Sequence, residues 1–106
     1  MNQKIVGKHE NDVNGNPAGG QTTGTGILVN WQDGPLGRGI DRKDPNGAFV
    51  EGVIAAAIDR LQYYQDSKFK CRENEVALMN LNLALATLNE RTADREKRDV
   101  EGTHTV

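Results

Sequence analysis

Between about Arg72 and Arg98 the chain carries two apolar stripes where an ordinary surface helix carries one. Leu78, Leu81, Leu85 and Leu88 form a heptad-like line. Val76, Met79, Leu83 and Ala86 form a second line, roughly opposite the first at ~100° per residue. Thin polar lines separate them: Glu75, Asn82 and Asn89 on one side, Asn80 and Thr87 on the other. The pattern predicts one long helix with two faces to bury. One face can pack on a neighbouring helix of the same chain. The other needs a partner, and a chain of 106 residues has few segments left to supply it. The expectation is a subunit interface and a homo-oligomer.

The rest of the chain divides near Gly47. All three prolines and most of the glycines come before that point, and Ala, Leu and charged residues dominate after it. Residues 1–20 are polar, "NGNPAGG" reads as a turn or loop, and only Ile5 and Val6 suggest a short early strand. In "TGILVNW", Ile27, Val29 and Trp31 alternate with Leu28 and Asn30, which predicts a strand over Thr25 to Trp31. A turn at Asp33-Gly34-Pro35 follows. A first helix is expected after "KDPNG", capped by Asp44 or Asn46 and running to about Asp66, with Val50, Val53, Ala57, Leu61 and Tyr64 on its buried face. "SKFKC" is the connection, with Phe69 as an apolar plug. The whole reads as an α+β fold, a short N-terminal antiparallel β element followed by a long antiparallel α-helical hairpin. It is expected to be a single domain, with 1–46 as a polar arm and small β element and 47–106 as the hairpin with a C-terminal tail.

Charge and composition narrow the function. A net charge of −2 argues against general DNA binding and against adhesion to anionic membrane, both of which need a basic excess. The lone cysteine, Cys71, has no internal disulfide partner, which fits a reducing compartment. The N-terminus has no apolar signal core, and no run approaches membrane-spanning length, so a cytosolic location is expected. "GGQTTGTG" lacks the GxxxxGK[ST] pattern and precedes a strand, so it reads as a loop and not a phosphate cradle. "DVNGN" has its glycine misplaced for a calcium loop and reads as a turn. His9, His104 and Cys71 show no metal-ligand spacing, and no nucleophile–base arrangement is recognisable. Neither a metal, a cofactor nor a catalytic site is expected.

One feature stands apart. Arg91, Arg95 and Arg98 fall at i, i+4 and i+7 and share a helix face. Glu90, Asp94, Glu96 and Asp99 offset them, and Asp94 precedes Arg98 by four residues, the favourable order for a helix pair. A self-paired solvated surface is one reading. The other rests on angle: on an ideal helix Arg95 lies about 20° and Arg91 about 60° from Leu88, so both continue the leucine stripe. Guanidiniums at the lip of a packed interface could grip a phosphate by forked hydrogen bonds.

"NWQDGPLGRG", "RKDPNGAFVEGV", "CRENEVAL" and above all "ERTADREKRDVEGTH" resemble the first type of phage-encoded Thoeris anti-defence sponge, a family whose helical hairpin is shared with the anti-CBASS sponges. The resemblance runs from about Gly24 to the C-terminus. It implies a protein that is not an enzyme and that binds and sequesters nucleotide immune second messengers. The family's characteristic ligand is glycocyclic ADP-ribose; some members also take cyclic di- or trinucleotides. Carried over by position, the base-stacking aromatic near the end of helix one falls on Tyr64, the asparagine early in helix two on Asn74, and the paired arginines on Arg91 and Arg95. Thr103 and His104 match the pattern as secondary ligand-facing candidates. This chain departs from the family in having Ala86-Thr87 where a His-Trp pair is frequent, and Asp99 where a glycine is frequent.

That carry-over has a geometric consequence. Asn74 and Arg91 are 17 residues apart, which is ~25 Å of helix rise. One dinucleotide-sized ligand spans them poorly within a single hairpin, whereas an antiparallel neighbour brings one subunit's arginines to the other's Tyr64 and Asn74. The geometry therefore leads to an antiparallel dimer, with further assembly into hexamers left open, and the host cytosol is the expected location. Two other readings stay open: a ligand-free helical scaffold or structural phage protein, and an enzyme that degrades the same signal.

Overall fold

The structure is a computed structural model that describes residues 3–106. Three antiparallel strands come first, β1 (Val6–Asn11), β2 (Pro17–Gly24) and β3 (Ile27–Asn30), in the order β1-β2-β3. A single 3-10 turn at Gly39–Asp41 follows, and then two helices, α1 (Val50–Gln65) and α2 (Arg72–Lys97). The α+β class and the helical hairpin are as the sequence predicts. The chain forms two compact units: one runs to Phe49 and takes in Val100–Val106, and the other is the hairpin, Val50–Asp99.

In the first unit, β1 starts at Val6, where a short early strand is expected, but runs on to Asn11, and β2 occupies a stretch whose sequence reads as turn and loop. The whole of β1 is exposed, so no apolar alternation marks it. Its evidence is the backbone ladder alone, Val6 opposite Thr23 through His9 opposite Gly20. Beyond His9 the register slips so that Asn11 faces Pro17, a bulge absorbed by Gly19 and Gly20. Gly20 has φ +118, and a Cβ there would collide with the Lys8 carbonyl and the His9 Cα, so a side chain is excluded. The β1–β2 turn is closed by Asp12, whose Oδ1 accepts from the Asn14 and Asn16 backbone N–H groups at 2.9 Å each. The Asn16 N–H, followed by that of Asn14, the Asn16 amide and nearby His104, holds the Asp12 carboxyl below its ordinary pKa against a smaller opposing desolvation.

The third strand is shorter than the predicted Thr25 to Trp31, and the alternation holds only beyond Ile27, which is 41% exposed although expected on the covered side. Val29 and Trp31 are half-buried while Leu28 and Asn30 are exposed. The Trp31 indole donates to Thr22 Oγ1 at 2.8 Å, satisfying its one polar atom. Asn46 does not cap α1. Its side chain accepts from the Asp33 N–H at 2.8 Å and donates to the Asp33 carbonyl at 2.9 Å, and α1 starts later, at Val50. Asp44 likewise lies outside the helix. A long-range pairing therefore outcompetes the local cap.

The C-terminal tail belongs to this unit. Arg42 makes a two-pronged ion pair with Glu101, Arg38 donates to the Glu101 carbonyl at 2.9 Å, and Gly37 N–H donates to the Gly102 carbonyl at 2.7 Å. Gly102 has φ +79, and a Cβ there would strike the Gly37 carbonyl oxygen. The close approach of the two backbones requires glycine at that position.

In the hairpin unit, α2 turns one line of residues inward. Asn74, Leu78, Leu81, Leu85, Leu88, Thr92 and Arg95, spaced in steps of four and three, are all buried or half-buried. The second stripe of α2 is exposed: Met79 by 67% and Leu83 by 66%. On α1 the inward line is Glu51, Ile54, Ile58, Leu61 and Gln65, not the predicted line through Val50, Val53 and Ala57, which are exposed. Leu61 and Tyr64 remain half-buried as expected. Apolar residues surround most of α1, so periodicity alone could not choose the face. Phe69 is no plug either. Ser67 tightens the connection by donating to the Tyr64 carbonyl at 2.6 Å and accepting from the Phe69 N–H, which leaves the Phe69 ring 66% exposed beside the Lys68 ammonium.

Candidate functional site

The candidates on the hairpin lie at two ends of α2. Tyr64 sits in the last turn of α1 and Asn74 in the first turn of α2, both half-buried. The connection that brings them to one end is held by local bonds. Besides the Ser67 contacts, Gln65 Oε1 accepts from the Cys71 N–H at 3.0 Å, and Cys71 Sγ takes a weak 3.5 Å bond from the Asn74 N–H as the helix cap.

Around Tyr64 the side chains are aromatic and cationic. The Arg60 guanidinium carbon stands 4.8 Å from the Tyr63 ring centroid and 4.9 Å from that of Tyr64. The two rings meet edge to face, centroids 5.9 Å apart at 60°. The neighbouring Tyr64 side chain is the largest influence on Arg60 and raises its pKa above the ordinary value. Next to this cluster a polar cleft of about 270 Å³ is lined by Gln62, Gln65, Asp66, Lys70, Glu75 and Leu78. Sequence reasoning passed over Arg60 and Tyr63. The signal available for them is an arginine followed by tyrosines at i+3 and i+4, the spacing of neighbours on a helix surface.

At the other end of α2 the three arginines have different fates. Arg98 Nε donates to Asp94 Oδ2 at 3.1 Å, the predicted i, i+4 pair, with both side chains well exposed. Such a surface pair contributes little to stability. Arg95 closes the inward line of α2 and is only 8% exposed. Arg91 is exposed on the flank, and among the described residues no hydrogen bond or ion pair engages it. The inward line therefore ends in a polar side chain at both extremities, Asn74 and Arg95, with leucines between. Tyr64 and Asn74 thus lie at one end of the hairpin and Arg91 and Arg95 at the other, with Asn74 and Arg91 ~25 Å apart along α2.

Thr103 and His104 lie in the other unit. Thr103 Oγ1 donates to the Val100 carbonyl and accepts from the Thr105 N–H at 3.2 Å. His104 Nδ1 lies 3.0 Å from the Asn16 amide nitrogen, which ties the tail to the β1–β2 turn. Among the described residues no three His, Cys, Asp or Glu side chains gather as a metal site. No helix among them is long and apolar enough to cross a membrane.

Comparison with known proteins matches residues 26–93, more than half of the chain, to a family model described as the Acb2/Tad1 hairpin domain. That span holds Tyr64, Asn74 and Arg91 and stops short of Arg95 and the tail. A curated relative, Thoeris anti-defense 1 of Bacillus phage SBSphiJ7, is 51% identical over 76 residues, which is 72% of this chain and 51% of that protein. The chain thus spans about half the length of the curated relative it matches.

Proposed function

The chain belongs to the family of the Acb2/Tad1 hairpin domain, and from that premise we propose that it is a phage anti-defence protein that captures nucleotide immune messengers without degrading them. Glycocyclic ADP-ribose is the first ligand to test and cyclic di- or trinucleotides the second. The protein works in the host cytosol as a homo-oligomer, with a dimer as the smallest complete unit. Tyr64 offers a ring for base stacking, Asn74 an amide for hydrogen bonds, and Arg91 with Arg95 guanidiniums for the phosphates.

The observation that supports this reading is that Tyr64 and Asn74 lie at one end of the hairpin and Arg91 and Arg95 at the other, with an exposed apolar stripe between them. The cleft at the Tyr64 end, which neither Tyr64 nor Asn74 lines, measures about 270 Å³, below the roughly 300–1,000 Å³ typical of pockets that enclose a small ligand. A second copy packed antiparallel through Met79 and Leu83 closes the site and supplies the arginines that the first copy cannot reach. The same stripe would also serve a ligand-free scaffold, so the deciding experiment has to follow the ligand.

Mixing the protein with glycocyclic ADP-ribose, removing the bound fraction by filtration and then heat-denaturing the protein separates the readings. Sequestration depletes the messenger stoichiometrically and returns it unchanged. A new species formed in excess over protein would establish an enzyme instead, and a messenger that is never depleted would leave only the scaffold.

A further inference from the structure

Arg60 has no part in the half-sites described above, yet it is the best-placed cation at the Tyr64 end. Its guanidinium lies within 5 Å of two ring centroids at once, 4.8 Å for Tyr63 and 4.9 Å for Tyr64. The edge of one ring meets the other. Tyr64 is only half-buried, and a helical tyrosine that packing does not fully enclose has two side-chain rotamers open to it, because only the third staggered well is closed by the preceding turn. A cation against the ring and an aromatic neighbour at its edge bias that choice towards one rotamer.

We propose that Arg60 is a positioning residue, holding the Tyr64 ring in the orientation on which the nucleotide base stacks. This rests on the sequestration reading. A ring that is already ordered loses less rotational freedom when a base settles on it, so more of the stacking energy appears as affinity. Arg60 acts through Tyr64 and does not itself touch the ligand. Its role thereby differs from that of Arg91 and Arg95, whose charge would meet the phosphates.

The test uses the full chain, calorimetric titration with glycocyclic ADP-ribose, and five proteins: wild type, Arg60→Gln, Arg60→Lys, Tyr64→Ala and the Arg60→Gln/Tyr64→Ala double variant. Glutamine keeps the helix propensity of arginine and removes the cation, and the site is exposed, so folding should be retained. Arg60→Gln should weaken binding about two- to fivefold, the range set by an exposed cation–π contact. In the Tyr64→Ala background the same change should have no further effect, because its intermediary is gone. Arg60→Lys should recover part of the loss. Without ligand, the Tyr64 ring resonances of Arg60→Gln should move towards those of a freely rotating tyrosine, a readout that needs no binding.

Wild-type affinity in Arg60→Gln would overturn the proposal. So would losses that add in the double variant, which would mean that Arg60 contacts the ligand directly. If wild type binds no messenger, the sequestration reading falls and this inference with it. If wild type binds and Arg60→Gln is silent in both readouts, only this inference falls.

Discussion

Asp99 follows directly on the capped end of α2, where the Arg98 N–H donates to the Asp94 carbonyl. Its φ is +59, the left-handed region that costs a residue with a Cβ roughly 1–2 kcal/mol, with aspartate among the better tolerated. The glycine frequent at this position in the resembling family therefore has a backbone reason, and the aspartate here keeps the same turn. Asp99→Val should destabilise the protein by about 1–2 kcal/mol while Asp99→Gly stays close to wild type, as read from urea unfolding midpoints. Equal midpoints for Val and Gly would show that the conformation is not held in solution. Residue-scale legibility was uneven elsewhere. The Asp94–Arg98 pair follows from spacing alone, since i and i+4 are neighbours on any helix. The contrast between exposed Arg91 and nearly buried Arg95 does not, because four residues on one helix differ by only about 40° and packing decides which is covered.

At the scale of the element, α2 is the helix its pattern announces. The boundaries agree to within a residue, Arg72–Lys97 against the expected end at Arg98, and the leucine line faces inward. The other line stays in solvent within one chain. Met79→Glu or Leu83→Glu should therefore leave the hairpin folded, because both side chains are about two-thirds exposed there. Either change should convert oligomer to monomer in sedimentation or light scattering at micromolar concentration, since a buried, unpaired carboxylate is strongly unfavourable. A wild-type protein that is already a stable monomer would refute the interface. The helix α1 was less legible: Val50, Val53 and Ala57 look as apolar as Ile54, Ile58 and Leu61, and only contact with α2 distinguishes them. Strand β1 was legible only at its start, Val6, and β2 not at all. A strand exposed along its whole length leaves no periodic trace, and its pairing is a property of the backbone.

At the scale of the whole molecule, the proposed site spans two chains, and that is testable without knowing its detailed geometry. Chains carrying Arg91→Ala and Arg95→Ala, mixed with chains carrying Tyr64→Ala and Asn74→Ala, should regain part of the glycocyclic ADP-ribose binding that each loses alone. Each heterodimer would hold one intact site and one doubly damaged site. Subunit exchange confirmed by mass-tagged chains, with no return of binding, would refute the shared site. Arg91→Ala is the cleaner single change, because Arg95 is almost buried and its loss also threatens folding. Short windows of sequence were enough for both helices, their connection, the strand ending near Trp31 and the likeness to a known family. Helical periodicity, turn chemistry and local motifs are complete within a dozen or so residues. What waited on tertiary contact was every choice between local equals. Asn46 bonds Asp33, 13 residues away, in place of a helix N–H. The Arg42–Glu101 pair, 59 residues apart, and Asn16 with His104, 88 apart, bind the tail to the first unit. Contacts across such separations form only when the intervening chain has folded, and no window of sequence contains both partners.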